Sequence, residues 1–414
     1  MSQPFGGINP LCRYYLRPMA FSSGTVSMRR FAVTGPSPKL IDQSLLDTLE
    51  AHALAPAEDS SSAEVEYGWC GGRHILDSRF DFEHNVFNDA LSFALRIDTN
   101  KVPSELKMAY RILEEDALAA GNPSGFISKA QKKDAKDTLS QKLSGELSTG
   151  KFRRSKMTSV LWDTVTKTVY SPASATVSEK LIELFERSFG LTLEPLSAGS
   201  LGQRMLESRS RRRDYEDLRP TRFVLSSEGD GHHPEYPWTA KGPQPKDFLG
   251  NEFLLWLWFE AEHRDGVLKT ESGGELSLFI DKMLDLDCAY GQSGRDGLRG
   301  TGPGRMPEAV DGLRSGKVPR KAGLILDASG QQFSLTLAAE SFSITGAKLP
   351  EVEEADTPRT LFEERITLLR DLCKSIDGMY EAFLKVRCSS GWEGQAGAIR
   401  KWILRTAKPI AAVA

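Results

Sequence analysis

The stretch TSVLWDTVTKTVYSPASATVSEKLIELFERSFGL, residues 158–191, decides the fold class. Its first half is rich in β-branched and aromatic residues and predicts a pair of strands. Its second half predicts a helix that begins after Ser178 and ends at Gly190. On both sides of the stretch, strands and helices follow in mixed clusters without regular β-α-β alternation. The sequence therefore predicts an α+β protein with mixed sheets and long helices.

Towards the N-terminus the same mixture continues. Residues 27–35, SMRRFAVTG, alternate in polarity and predict a strand that ends at a Gly-Pro pair. Residues 102–121 predict a helix that starts near Pro103. Residues 39–54 predict a helix with one apolar face, made of Leu40, Ile41, Leu45, Leu46, Leu49 and Leu54. Residues 1–25 have no apolar period, so we expect them to be a disordered extension.

Towards the C-terminus the composition changes twice. After a first α+β region at residues 26–202, residues 203–247 are polar and rich in Pro and Gly, which predicts a connector or insertion. A second α+β region, residues 248–414, ends in long helices. One of these has an apolar stripe that exceeds the need of a single neighbour: Leu361, Ile366, Leu369, Leu372, Ile376, Met379 and Phe383. A closed two-fold assembly would bury such a stripe, so we expect a homodimer.

The composition excludes several classes of protein. The chain has 414 residues, 40% of them apolar and 26% charged, which is ordinary for a soluble globular protein. No apolar run approaches the roughly 20 residues of a membrane helix; the longest candidate is FLLWLWF at residues 253–259. The five cysteines are scattered, without the spacing of a zinc site. We therefore expect a cytoplasmic protein whose thiols are small core residues.

Positive charge is concentrated in SKAQKKDAKDTLSQKLSGELSTGKFRRSK, residues 128–156, although the whole chain has a net charge of -3. Lys129, Lys132, Lys133 and Lys136 are spaced i, i+3, i+4, i+7, so on a helix they share one face. A row of lysines suits a phosphate backbone and does not read sequence. The alternative is a face that only contacts solvent.

After a break at residues 148–150, the chain presents a finger-like basic loop around one aromatic residue: Lys151, Phe152, Arg153, Arg154 and Lys156. An aromatic ring flanked by cations could stack on nucleic-acid bases or wedge between them. Alternatively, Phe152 belongs to the core. The sequence leaves both readings open.

Two further basic stretches occur at residues 204–222 and 295–321. The second contains GRDGLRGTGPGR, residues 294–305, whose glycines could bring backbone close to phosphate. It lacks the G-x-x-x-x-G-K-[ST] order of a nucleotide loop, so ATP binding is excluded and no cofactor is expected. From this stretch the DNA-contact candidates are Arg299, Arg305 and Lys317.

The order of segments between residues 26 and 390 resembles the RdgC family of bacterial recombination-associated proteins. The resemblance rests on a GW pair at residues 68–69, ALRIDTNKVPSELKMAYRILEE at 94–115, the lysine-rich helix, the strand pair and helix quoted first, and PEAVDGLRSGKVPRKAGLIL at 307–326. No single motif is diagnostic, but the ordered set is. The chain departs from the family in its N-terminal extension and in its longer region around residues 203–250.

This resemblance implies a function and an assembly. Members form a homodimer, closed into a ring around a positively lined hole. They bind double-stranded and single-stranded DNA without sequence preference, in the nucleoid, and they restrain strand exchange by a RecA-type recombinase. We expect no enzyme activity, although the family's domain name has been attached to exonuclease activity. It would explain how an acidic protein binds DNA, because the positive charge would line the hole.

Two alternatives remain open at this stage. A metal-dependent exonuclease needs converging carboxylates, and the best candidates are Asp281, Asp285 and Asp287, with Glu252 as a further candidate; Asp285 and Asp287 would share one face of a strand. The pair His232-His233 lies in a Pro/Gly-rich loop and is more typical of an exposed loop than of a metal site. The other alternative is a scaffold that acts through protein partners, for which the polar region at 203–247 would be suited.

Overall fold

The structure is a computed structural model. It describes residues 21–38, 40–54, 64–123, 125–224, 245–263, 266–269, 274–288, 294–328, 330–352 and 355–405. Most of the predicted extension and the pair His232-His233 lie outside the described residues.

The N-terminal half contributes seven strands and five helices to the described structure. The strands are β1 Val26–Thr34, β2 Val65–Cys70, β3 Val86–Phe87, β4 Ala90–Asn100, β5 Arg153–Asp163, β6 Thr168–Ser171 and β7 Thr192–Pro195. The helices are α1 Gln43–Ala51, α2 Phe82–Asn85, α3 Ser104–Ala120, α4 Lys129–Ser148 and α5 Ala175–Phe189. The predicted strand at 27–35 and the predicted helix at 102–121 are therefore confirmed.

Two details of the sequence interpretation are wrong. Helix α5 begins one turn earlier than expected, with Ser174 at its N-cap, and Ser178 is buried inside its first turns with its hydroxyl on the Ser174 carbonyl. The end of α5 is as predicted, because Gly190 adopts the left-handed conformation that glycine allows there. Leu40 is exposed and does not belong to the buried face of α1.

The C-terminal half continues with helices and a long meander. The helices are α6 Ala198–Ser208, α7 Arg212–Asp217, α8 Phe248–His263, α9 Pro307–Arg314, α10 Pro358–Arg387 and α11 Trp392–Ile403, with a 3-10 turn at Pro303–Arg305. The strands are β8 Val267–Lys269, β9 Glu275–Cys288, β10 Asp296–Gly300, β11 Lys317–Ala328, β12 Gln331–Ala338 and β13 Ile344–Lys348.

All these strands form one antiparallel sheet, in the order β10-β9-β11-β12-β13-β1-β6-β5-β4-β2. Strands β3, β7 and β8 pair with β4, β1 and β9. Strand β1 joins the two halves, because Val26 and Met28 pair with β13 while Arg29 and the next residues pair with β6. The protein is thus an α+β fold, as predicted.

Two large apolar cores lie against this sheet. The N-terminal core packs α1 and α5 on residues such as Phe93 and Trp162. The larger core packs α8 and α10 on β9, β11 and β12. The segment FLLWLWF lies within α8, which is buried from Phe248 to Glu260, so its continuous hydrophobicity reflects burial on all sides.

The predicted boundaries differ from the structure in three places. Residues 203–224 do not form an exposed connector, because Tyr215, Leu218 and Phe223 are buried in the larger core. The packed chain starts before residue 26, since Phe21 is also buried in that core. The larger core includes Ala90, Leu161 and Tyr170, so residues 26–202 do not form a separate unit.

The apolar stripe of α10 is buried by other parts of the same chain. Six of its predicted members are buried in the larger core, namely Ile366, Leu369, Leu372, Ile376, Met379 and Phe383. The stripe therefore gives no support to the expected homodimer. Cys70, Cys288 and Cys373 are buried and are not part of a disulfide, as expected for small core residues. Within the described ranges, none of the helices has both the length and the apolar character to cross a membrane.

Candidate nucleic-acid interface

Helices α3 and α4 pack on each other as a hairpin with a small core of its own. Its buried members are Val102, Leu139 and Leu143, and Leu106, Tyr110, Leu147 and Phe152 pack against them. Helix α4 starts at a capping box, in which the Ser128 hydroxyl accepts from the Gln131 amide and the Gln131 side chain accepts from the Ser128 amide. The hairpin is joined to the sheet where the Asn100 side chain donates to the Leu147 carbonyl at 2.8 Å.

The α4 lysine row consists of Lys129, Lys132, Lys133 and Lys136. All four side chains are exposed, as predicted for one solvent-facing side of a helix. Within the described residues, none of them has an ion-pair partner among the Asp and Glu side chains. The row lies roughly 20 Å along the helix axis from the junction with β5, at 1.5 Å per residue. The row is therefore a set of positive charges without ion-pair partners on a projecting element, with Asp134 and Asp137 exposed beside it on the same helix.

The residues of the finger-like loop have different environments in the structure. The Lys151 ammonium lies 2.8 Å from a Glu146 carboxylate oxygen, and this hydrogen bond raises the pKa of Lys151. Phe152 is half-buried in the hairpin core, with the Lys151 nitrogen 5.6 Å from the centre of its ring. The structure therefore supports the interpretation of Phe152 as a core residue, because its ring packs on apolar side chains.

Arg153 is held at the root of the hairpin. Its guanidinium pairs with Glu66, and its Nε lies 3.5 Å from Asp98. Asp98 also accepts two hydrogen bonds from Arg96, at 2.9 and 2.6 Å, and is only 2% exposed. Because an unpaired carboxylate at this depth would be costly, Arg153 balances charge inside the protein. It is not a free contact for phosphate.

Arg154 and Lys156 have the opposite environment. Both are exposed and lie on the same face of β5, opposite Thr99 and Ile97 of β4. Neither has an ion-pair partner within the described part of the chain. They extend the exposed positive charge from the hairpin onto the sheet.

The C-terminal candidates are mostly neutralised. Arg299 lies 2.7 Å from Asp285, and Lys317 lies 2.5 Å from Asp296 with only 11% of its side chain exposed. Arg305 is exposed at the rim of a cavity of about 330 Å³, and no acidic partner contacts it among the described residues. Most arginines of residues 204–222 are also engaged; Arg204, for example, lies 2.9 Å from Glu194.

The carboxylates proposed for a nuclease do not converge. Asp287 lies 3.3 Å from Arg295 and 3.2 Å from Arg320, and Asp285 pairs with Arg299. Glu252 is in the larger core, 2.6 Å from Arg387. Within the described residues, no group of three or more His, Cys, Asp or Glu side chains is placed to hold a metal ion. These carboxylates bind arginines of their own chain.

The sequence interpretation missed an apolar surface on the hairpin. One side of α3, with Leu106 and Tyr110, packs against α4, and none of the helix's residues is fully buried. Another side exposes Met108 and Ile112, which are 57% and 45% exposed, and Leu113, on the side of Leu106, is 64% exposed. The sequence did contain an indication of this surface, because apolar residues occur on two sides of α3. Packing against α4 explains the apolar residues on only one of these sides.

A comparison of the chain with protein-family models found no match, and a comparison with curated proteins found none either.

Proposed function

We propose that this protein binds DNA without reading its sequence, and that the α4 lysine row is its principal phosphate contact. The supporting observation is that the row is exposed and without ion-pair partners among the described residues, while most other predicted contacts are paired. A free ammonium group that binds a phosphate releases the counterions condensed on the DNA, and no internal ion pair has to break first. Arg153, Arg299 and Lys317 would each have to leave a carboxylate.

The proposal is compatible with the acidic composition. The net charge of -3 describes the whole chain, whereas binding depends on the local field. On the hairpin and its junction with β5, the lysine row, Arg154 and Lys156 face solvent. Elsewhere, acids such as Asp285 and Asp287 are matched by arginines at 2.7 to 3.3 Å.

The test is a titration of a duplex of random sequence at several salt concentrations, with and without magnesium. We expect a steep, linear fall of log affinity with log salt, equal for unrelated sequences. The duplex should stay intact with magnesium, since the candidate carboxylates bind arginines. An affinity that does not change with salt concentration would refute the proposal. Magnesium-dependent cleavage would instead support the exonuclease alternative.

We also propose a homodimer, formed through the exposed side of α3. A monomer that exposes Met108, Ile112 and Leu113 on one helix leaves apolar surface in water. A second copy presents the same surface, so two copies related by a two-fold axis would bury it on both. In a ring-shaped dimer of the RdgC type, this contact would join the two hairpins that carry the lysine rows.

Replacing Met108 and Ile112 with glutamate should convert a dimer to a monomer, because it would place like charges at the centre of the contact. Light scattering at micromolar concentration would report the change in mass. Leu76→Glu is a matched control, since Leu76 is 66% exposed outside the hairpin. A wild-type protein that is already monomeric, or a variant that stays dimeric, would rule out this interface.

The role in recombination is proposed from the family resemblance alone. A protein that occupies duplex phosphates without sequence preference would compete with a RecA-type recombinase for the same backbone. It would thereby restrain strand exchange in the nucleoid.

A further inference from the structure

A second positively charged surface lies on the sheet beside the hairpin, where Arg154 and Lys156 meet side chains of β2 and α5 that the sequence pattern did not indicate. Its centre is Tyr67 of β2. The Lys180 ammonium is 4.6 Å from the centre of the Tyr67 ring, and the Arg187 guanidinium is 5.6 Å from it. Both cations belong to α5 and are spaced i, i+7, which puts them two turns apart on one side of the helix.

The strand register brings the exposed cations of β5 to the same face. Tyr67 lies opposite Ile97, and Ile97 lies opposite Lys156. Residues directly opposite one another point to the same side of a sheet, and Ile97 points into the N-terminal core under α5. At about 4.8 Å per strand, Lys156 is therefore roughly 10 Å from Tyr67 across the sheet.

Arg154 occupies the next row, opposite Thr99 and then Val65. The Tyr67 surface, as we name it, thus consists of Tyr67, Arg154, Lys156, Lys180 and Arg187. Its four cations have no ion-pair partner within the described residues, and one carboxylate, Glu183, hydrogen-bonds to the Tyr67 hydroxyl. Burial and this hydrogen bond raise the pKa of Tyr67.

We propose that the Tyr67 surface is a second contact for the phosphate backbone of DNA, with Lys180 and Arg187 as binding residues and Tyr67 as the residue that positions them. This inference rests on the proposed function. The Tyr67 ring is held by two cations, so it is not free to stack on a base. Contacts here would be to phosphate and would add affinity without sequence preference.

The chain path supports one continuous interface. Arg154 and Lys156 follow the hairpin directly, and α4 leads from this point to the lysine row roughly 20 Å away. That span corresponds to about 6 base pairs at 3.4 Å each. A duplex of 30 base pairs is long enough to occupy both surfaces of one chain.

The test is the salt dependence of binding to a 30-base-pair duplex for the full chain and the double variant Lys180→Gln, Arg187→Gln. Each lost contact should reduce the slope of log affinity against log salt by about 0.9, so we expect a decrease of about 1.8. At 0.1 M salt this corresponds to an affinity up to about 60-fold lower. The charge-preserving variant Lys180→Arg, Arg187→Lys should keep the wild-type slope.

Tyr67 is tested separately, because a positioning role predicts that a substitution without any change of charge still alters the salt slope. Tyr67→Leu should lower the slope of log affinity against log salt. Tyr67→Phe keeps the ring and should keep the wild-type slope. Thermal unfolding of each variant shows whether the remaining protein is folded. A steep wild-type slope that the Lys180 and Arg187 double variant leaves unchanged would overturn this inference and leave the proposed function standing. A wild-type protein without salt-dependent binding would overturn the proposed function itself.

Discussion

Replacement of the four lysines of the α4 row by glutamine should weaken binding to every duplex alike, with the largest loss at low salt. If each ammonium neutralises one phosphate, the slope of log affinity against log salt should fall by about 3.6 per chain. At 0.1 M salt the affinity would drop by up to about 4,000-fold. The fold should be unaffected, because the buried side of α4 is formed by Ala135, Leu139 and Leu143. Filter binding or fluorescence anisotropy at four or more salt concentrations measures the slope.

A matched control removes the same number of charges elsewhere. Four exposed lysines of the C-terminal half are suitable for the same change to glutamine: Lys321, Lys348, Lys385 and Lys401. This control should alter the slope little, because long-range attraction is screened beyond about 10 Å at 0.1 M salt. Equal losses in both variants would mean that only net charge matters. An unchanged slope in the α4 variant would remove the main structural support for DNA binding.

Glu252→Ala should cause the largest loss of stability, about 3 to 5 kcal/mol of the free energy of unfolding. Glu252 and Arg387 are 2% and 7% exposed, and their charged atoms are 2.6 Å apart. Glu252 also accepts from the Thr221 amide at 2.6 Å. Removal of the carboxylate would leave a buried guanidinium and a buried amide without their acceptor. Urea denaturation followed by tryptophan fluorescence would measure the change.

A double variant separates this structural role from catalysis. Glu252→Leu with Arg387→Met removes both charges and keeps apolar volume, so it should recover at least half of the loss. Glu393→Ala, at an exposed carboxylate, should change stability by less than about 0.5 kcal/mol. A Glu252→Ala protein that is fully stable but has lost a magnesium-dependent nuclease activity would restore Glu252 as a candidate metal ligand.

Local patterns in the sequence were sufficient for the elements that depend on neighbours along the chain. The strand at 27–35, the helices at 102–121 and in α5, and the exposed lysine spacing of α4 follow from period, caps and charge. The α+β class followed from the order of these elements. Each of these predictions uses residues less than about two turns or one strand apart.

The parts that failed depend on partners distant in sequence. The run of basic residues around Arg153 does not reveal its pairing with Glu66 and Asp98. The apolar stripe of α10 likewise does not reveal that it is buried against α8. Tyr215, Leu218 and Phe223 lie in a polar segment, and their packing is determined by surfaces that fold elsewhere. The Tyr67 surface needs the register of three strands and a helix. A one-residue shift of a strand's register would turn that strand's side chains to the opposite face of the sheet.

The central position of β1 has a consequence for how the protein folds as it is made. Its partner β13 is synthesised more than 300 residues later, since Val26 pairs with Ala347. Until then the start of β1 is an open strand edge, and closing so long a loop is slow. The N-terminal core, by contrast, uses only residues between Phe31 and Leu193, so it can form while the ribosome is still translating the second half. The lysine hairpin belongs to this early half, and it would emerge in folded form on a chain whose sheet is still unfinished.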